Sequence, residues 1–336
     1  MSEAEAEAKR HLALTEAGPF ETNDPADVRW LLCGRGRPVA AGTSPYAVRV
    51  TEDAAQVLYQ DIERSRVATE ERWEELGYEP VARPWFEPPA APLPAPDLAA
   101  LRRSLVPDEL DRYRAAGSAA AAAFVETMGE LRPDWRELDA TADLARRLHA
   151  RGFTTPVLLA GGAGRAPLHR HPLPTDRPLG PFALLAATAE RDGLHVSLTR
   201  MVSFGSPPEA LQARVATAAA VDGAVLSASR PGATIAELFA VLEHAYADAG
   251  FPGEWRLHHQ GGITGYAGRE VFATPHDETA LPDACAVAWN PSVTGGGKSE
   301  DTALVTPAGV EVLTRTRGLA ELETTAGVLR PALVEL

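Results

Sequence analysis

Histidines carry much of the chemistry this sequence offers. Three of its nine stand in two short segments, Arg170-His171-Pro172-Leu173-Pro174-Thr175 and His258-His259-Gln260-Gly261-Gly262-Ile263-Thr264-Gly265-Tyr266. An imidazole, with an ordinary pKa of about 6.5, is the side chain best able to take and return a proton at neutral pH. Glycines in the second segment allow close backbone approach. That segment either cradles a carboxylate or oxyanion on its N–H groups or is a glycine-rich hairpin. Just beyond it, Arg269-Glu270 offers a guanidinium for bidentate carboxylate binding and a carboxylate partner, or else a salt-bridged strand end. His169 and His171 could join His259 on one zinc ion. No carboxylate at metal-ligand spacing stands beside them, however, and no metal is expected. Of 32 basic residues only Lys9 and Lys298 are lysine, which singles out Lys298.

Strands and helices must position these groups. Phe182–Ala189 and Leu194–Ser203 read as two strands joined across Arg191-Asp192-Gly193, a hairpin signal. A period of two puts His195, Ser197 and Thr199 on one face, which is expected to line something wet. Pro107-Asp108-Glu109 opens a long helix through the run Ala119–Ala123. The turn Arg132-Pro133-Asp134-Trp135-Arg136-Glu137-Leu138, with a helix ending Ala150-Arg151-Gly152-Phe153, recurs as Arg230-Pro231-Gly232-Ala233-Thr234-Ile235-Ala236-Glu237-Leu238, with a helix ending Ala249-Gly250-Phe251. Two such copies predict a domain of two similar halves with a site between them. Towards the N-terminus, Val28–Leu32 and Tyr46–Val50 have strand character, and Asp53–Gly77 has helical spacing. Arg83–Pro96 holds six prolines in fourteen residues and reads as an extended linker. The expected domains are therefore 1–97 and 98–336, in an α+β fold.

Composition excludes several function classes. Hydrophobic residues make up 45% and charged residues 23% of the 336, and there is no apolar run of about 18 residues, so a globular rather than a membrane chain is expected. A net charge of -14 argues against nucleic acid or an anionic membrane as partner. Residues 1–10 lack the basic start and apolar stretch of a signal peptide, and a cytoplasmic location is expected. Cys33 and Cys285 are far apart and predict no disulfide.

In their order along the chain, these pieces resemble the creatinase, prolidase and aminopeptidase P family. The carriers are Asn23–Leu31, the helix from Glu109, His171–Arg177, Leu198-Thr199-Arg200, His258–Tyr266, Asn290-Pro291 and Ser299-Glu300-Asp301-Thr302. The resemblance implies a small N-terminal creatinase-like domain followed by a two-halved pita-bread domain, and a homodimer in which Arg29 or Trp30 acts across subunits. Metal-dependent members hold two divalent ions with two Asp, one His and two Glu. Those positions are here Ala186, Ser197, Gly262, Asn290 and Glu300, which leaves one ligand of five. Creatinase, a metal-free member, hydrolyses a C–N bond with a histidine in a segment similar to Arg170–Thr175, so His171 is expected as general base and acid. The two glutamates that accompany that base in creatinase are here Thr199 and Asn290.

The expectation is a metal-independent hydrolase, without cofactor, of an amide, ureido or guanidino C–N bond in a small polar molecule. His171, His259, Glu270 and Glu300 are the catalytic candidates. Ser197, Thr199, Arg200, Tyr266, Arg269, Asn290 and Lys298 are the binding candidates. Lys298 is placed to neutralise Glu300 where the ions are missing. The alternatives are a non-catalytic pseudopeptidase that binds a small ligand or peptide, and a divergent Xaa-Pro peptidase.

Overall fold

Asp24-Pro25 starts a helix, not a strand. In the computed structural model, which describes residues 1–39, 44–87 and 93–336, Asp24 caps helix α2 (Pro25–Leu31) by accepting from the N–H groups of Ala26 and Asp27, both at 3.0 Å. Proline in the first turn gives up no hydrogen bond, so the local signal overrides the strand character of Val28–Leu32. The helical reading of Asp53–Gly77 also fails at its start. Strand β3 (Ala55–Gln60) lies there between β2 (Ala47–Val50), antiparallel, and β4 (Glu79–Arg83), parallel, and a ladder on both edges outweighs charge spacing. What remains of that stretch is short turns, including α3 (Arg64–Arg66).

The chain forms two compact units. Unit 1 comprises Met1–Arg112, Asp192–Leu194 and Gly265–Ala267; unit 2 comprises Tyr113–Arg191, His195–Thr264 and Gly268–Leu336. The division falls within the long helix α5 (Pro107–Met128). Residues 88–92 of the proline-rich segment lie outside the described residues.

Unit 1 sets α1 (Glu3–Ala17), α2 and α4 (Ala99–Arg102) with a sheet in the order β1 (Phe20–Thr22), β2, β3, β4. Lys9, 3% exposed, holds it together. Its Nζ donates to Glu5 at 2.8 Å and Glu109 at 2.5 Å, and Tyr266 donates to the same Glu109 oxygen at 2.8 Å. Burial pushes the Glu5 carboxyl up, but Arg112 and Lys9 more than reverse this and hold it at about 2. Arg29 and Trp30 are buried in this chain, so neither side chain is presented at the surface for a neighbour.

Unit 2 shows the predicted repeat. Its elements run α6 (Glu137–His149), β5 (Thr154–Gly162), β6 (Phe182–Arg191), β7 (Leu194–Ser203), α7 (Glu209–Ala228), α8 (Ile235–Asp248), β8 (Gly261–Thr264), β9 (Val271–Phe272), β10 (Cys285–Trp289), β11 (Ser292–Val293), β12 (Gly297–Lys298), β13 (Asp301–Thr306), β14 (Gly309–Val312), β15 (Glu321–Glu323), β16 (Leu329–Pro331) and β17 (Val334–Glu335). In the first copy Glu137 N–H donates to Arg177 O and Leu138 N–H to Thr175 O. In the second copy Ile235 N–H donates to Thr279 O and Ala236 N–H to Asp277 O. Asp192 and Gly193 join β6 to β7 at φ 53° and 81°, the backbone of a two-residue hairpin turn. Two sheets result, ordered β17-β7-β6-β5 and β14-β13-β10-β8-β9. No described helix is long and apolar enough to cross a membrane.

Four buried charges tie these sheets to α7. Arg330 Nη2 reaches Asp222 Oδ2 at 2.6 Å and Asp301 Oδ2 at 2.7 Å, and Arg200 Nη2 reaches Asp301 Oδ1 at 2.7 Å. Removing one member strands the others without water. Asp222→Ala is therefore expected to lower unfolding free energy in a urea melt by about 3–5 kcal/mol; a loss under about 1 kcal/mol would show the network to be dispensable.

Candidate functional site

A buried carboxylate builds the loop that carries His171. Glu137, 0% exposed, accepts from Gly162 N–H at 2.8 Å, Thr175 N–H at 2.9 Å and Thr175 Oγ1 at 2.7 Å, and pairs with Arg165. It thereby clamps both ends of the loop between β5 and β6. Gly161 makes room for it, since a Cβ there would lie 2.7 Å from Pro172 Cγ. Arg170 is pinned to Ser292 Oγ at 2.9 Å, to Thr294 Oγ1 at 2.8 Å and to Glu254. With both neighbours fixed, His171 is directed at His258, Nε2 to Nε2 at 3.0 Å. His259 stacks on His258 with ring centroids 4.5 Å apart. Gln260 holds that pair in place by donating to His258 O at 2.6 Å and accepting from Tyr246 at 3.0 Å.

All three imidazoles favour the neutral form. Burial and then Lys298 lower the pKa of His171 below 6.5. Burial, Arg269, His171 and Lys298 push His259 down to about 4. Burial and the surrounding cations take His258 far lower. Two neutral rings in Nε2–Nε2 contact share one proton, so one donates and the other accepts.

Beside them opens a cavity of about 290 Å3. Polar lining comes from His171, His259, Thr188, His195, Arg269, Asn290, Lys298 and Glu300, and apolar lining chiefly from Pro156, Val157, Leu159, Ala186 and Phe272. Glu300 accepts from Thr199 Oγ1 at 2.7 Å and from Arg269 Nη2 at 3.1 Å. Arg269 Nη1 also donates to Ser197 Oγ at 3.2 Å, and Thr188 bonds the same hydroxyl at 2.9 Å. The polar face of β7 thus holds the arginine that faces the cavity. Three polar atoms at this cavity are left over. Arg269 Nε and Asn290 Oδ1 are buried without a partner. Lys298 is 5% exposed on β12, and its ammonium forms no hydrogen bond or ion pair with any described residue. Burial lowers its pKa, with Arg269 and Arg170 adding to the fall and Glu300 opposing it.

Arg200 and Tyr266 stand elsewhere. Arg200, 2% exposed, spends its guanidinium on Asp301, Thr316, Thr314 O and Thr199 O, so it braces β7 instead of offering donors to a substrate. Tyr266 belongs to unit 1 and is committed to Glu109. Glu270 donates its N–H to Ile263 O at 2.9 Å and is not among the residues lining the cavity. Glu254 was missed from the sequence altogether, and Glu137 and His258 entered only as motif letters; nothing in local spacing marks an acid that will be buried under a loop.

Neither of two metal sites fits this donor set. At the five positions that the resemblance assigns to a pair of ions, one carboxylate remains, and Arg269 occupies it. Position 262 cannot accept a side chain: Gly262 has φ +143°, and a Cβ there would lie 2.1 Å from Val271 O. His171, His258 and His259 bring their nitrogens within 4.8 Å of one another. Lys298 adds a positive charge beside all three, and Glu300, the carboxylate that acts on His171 and His259, is already engaged by Thr199 and Arg269.

The same electrostatics give a titration to check. By NMR, His171 is expected to titrate below 6.5 and His259 near 4. Lys298→Met should raise both midpoints, because it removes a cation that opposes protonation. Midpoints unchanged by that substitution would place the Lys298 charge away from the imidazoles.

Residues 111–307, more than half of the chain, match metallopeptidase family M24. Among curated proteins, the chain is 26% identical over 209 residues to the probable dipeptidase PepE of Mycobacterium tuberculosis, covering 60% of this chain and 56% of that one. It is 24% identical over 227 residues to the Xaa-Pro dipeptidase of Pyrococcus furiosus, covering 62% of each. The match thus spans less than two thirds of either relative. Among solved structures, an Xaa-Pro dipeptidase from Bacillus anthracis superposes with a TM-score of 0.74 at 18% identity over 100% of both chains. A prolidase from Pyrococcus furiosus does so with a TM-score of 0.73 at 18% identity, over 92% of this chain and 99% of that one. These likenesses establish the pita-bread fold of the resemblance, and with the family match they lead to one statement: the chain belongs to metallopeptidase family M24.

Proposed function

We propose that this chain hydrolyses a C–N bond in a small polar molecule without the two-ion centre of its family, with His171 as the proton carrier. One observation carries the reading. The cavity that retains a single carboxylate of the five-ligand set is lined instead by His171, His259, Lys298, Arg269 and Asn290.

In this mechanism His171 donates its Nε2–H to His258, which fixes the tautomer and leaves the Nδ1 lone pair as base. His258 is a positioning residue. Nδ1 takes a proton from water as the oxygen attacks the carbon of the C–N bond. The C–O bond forms, and the negative charge that develops on the carbon's substituent is met by the cations of the cavity. On collapse the C–N bond breaks and the imidazolium returns its proton to the leaving nitrogen. Glu300 keeps Arg269 in place through the whole cycle.

The relatives named above make Xaa-Pro dipeptides natural members of a substrate panel, beside ureido and guanidino compounds. Turnover of one class by chelator-treated protein, read by mass spectrometry, is the expected result. His171→Ala should lower it by roughly 10²–10⁴-fold with the fold intact by circular dichroism. The rate should fall on acidification only below pH 6.5, since the base is lost by protonation at a lowered pKa. Turnover that disappears on chelation and returns with a divalent ion would overturn the metal-independent reading. Binding without product would mark a pseudopeptidase.

A further inference from the structure

Lys298 asks for an anion. Other buried cations of unit 2 are matched: Arg200 and Arg330 by Asp301 and Asp222, and Arg269 by Glu300. Glu300 is the one carboxylate among the residues lining the cavity and it is bonded to Arg269, so the Lys298 ammonium has no carboxylate partner there. A buried ammonium without a partner is costly, and a bound monoanion would complete the count. Asn290 Oδ1, buried and unpaired at the same cavity, needs a donor from the ligand. The opposite need is met by Pro156, Val157, Leu159 and Phe272. Val157 and Phe272 remain 40% and 53% exposed, and Phe272 packs edge-on to His259 at 5.2 Å. At about 290 Å3 the space sits at the lower end of small-molecule sites.

We propose that the cavity recognises an N-acylated or N-carbamoylated apolar amino acid: the carboxylate on Lys298, the amide N–H on Asn290 Oδ1, and the side chain against Pro156, Val157, Leu159 and Phe272. The assignment rests on the hydrolase reading only for the idea that the amide or ureido bond is the one cleaved; recognition stands without turnover. Charge and apolar contact act at opposite ends of the ligand, so each can be removed separately.

Calorimetric titration of the His171→Ala protein in chelator, with N-carbamoyl-leucine, its carboxamide and N-carbamoylglycine, separates binding from turnover. N-carbamoyl-leucine should bind at least about tenfold tighter than the carboxamide and about tenfold tighter than the glycine compound. Adding Lys298→Met should abolish the acid-over-amide preference and keep the leucine-over-glycine preference. Equal binding of acid and amide, an acid preference that survives Lys298→Met, or no binding of any of the three would overturn the proposal. Should Lys298→Met not fold, the acid–amide comparison decides alone. Binding as described with no product from chelator-treated wild-type protein would overturn the hydrolase reading and leave the recognition standing.

Discussion

The chain Asp222–Arg330–Asp301–Arg200 is the constraint on which unit 2 depends. These groups are 0–2% exposed, and each carboxylate and guanidinium is usable only because its partner is in place. The network joins α7, β16, β13 and β7. Two of those strands carry or adjoin the site: Ser197 and Thr199 lie on β7, and Glu300 immediately precedes β13. Asp222 also accepts from Ser299 Oγ at 2.6 Å, which fixes the backbone between Lys298 and Glu300. Rigidity deep in the unit is thus passed to the cavity through adjacent residues of the chain.

The cavity carries two cations, Arg269 and Lys298, and one carboxylate, Glu300, which is paired with Arg269. The two lysines show what this means. Lys9 and Lys298 are both buried, at 3% and 5% exposure. Lys9 sits among Glu5, Glu109, Trp30 O and Tyr266; Lys298 has no such company. The first is matched by carboxylates, and the second lines the cavity without one. Burial depresses the histidines first, and the neighbouring cations add to it by opposing protonation.

The repeated halves serve different ends. Matching backbone hydrogen bonds support the start of α6 and of α8, but the first half places a carboxylate, Glu137, at the first helical position, where it ties down the His171 loop. The second half has Ile235 there, in the apolar core with Leu238, Phe239 and Leu242. One scaffold therefore yields the His171 loop at the cavity on one side and packing on the other.

The sequence by itself determined the two-halved fold, because turn residues, caps and helix periods act over a few neighbours and repeat legibly. It also displayed the residues Ala186, Ser197, Gly262 and Asn290 at the positions where the resemblance expects metal ligands. It misjudged α2 and β3, where the Asp24-Pro25 cap and a two-sided strand ladder overruled the apparent pattern. Only the tertiary structure decided which polar residues are spent and which are free. Arg200 and Arg269 look alike as letters, yet one is consumed by Asp301 and the other faces a cavity. His258 joined His171 in place of His169, and Tyr266 fell to Glu109. The physical reason is that a charge or hydrogen-bond donor acquires its role from partners a hundred residues away, and burial, which sets the cost of leaving it unpaired, exists only once the chain has folded.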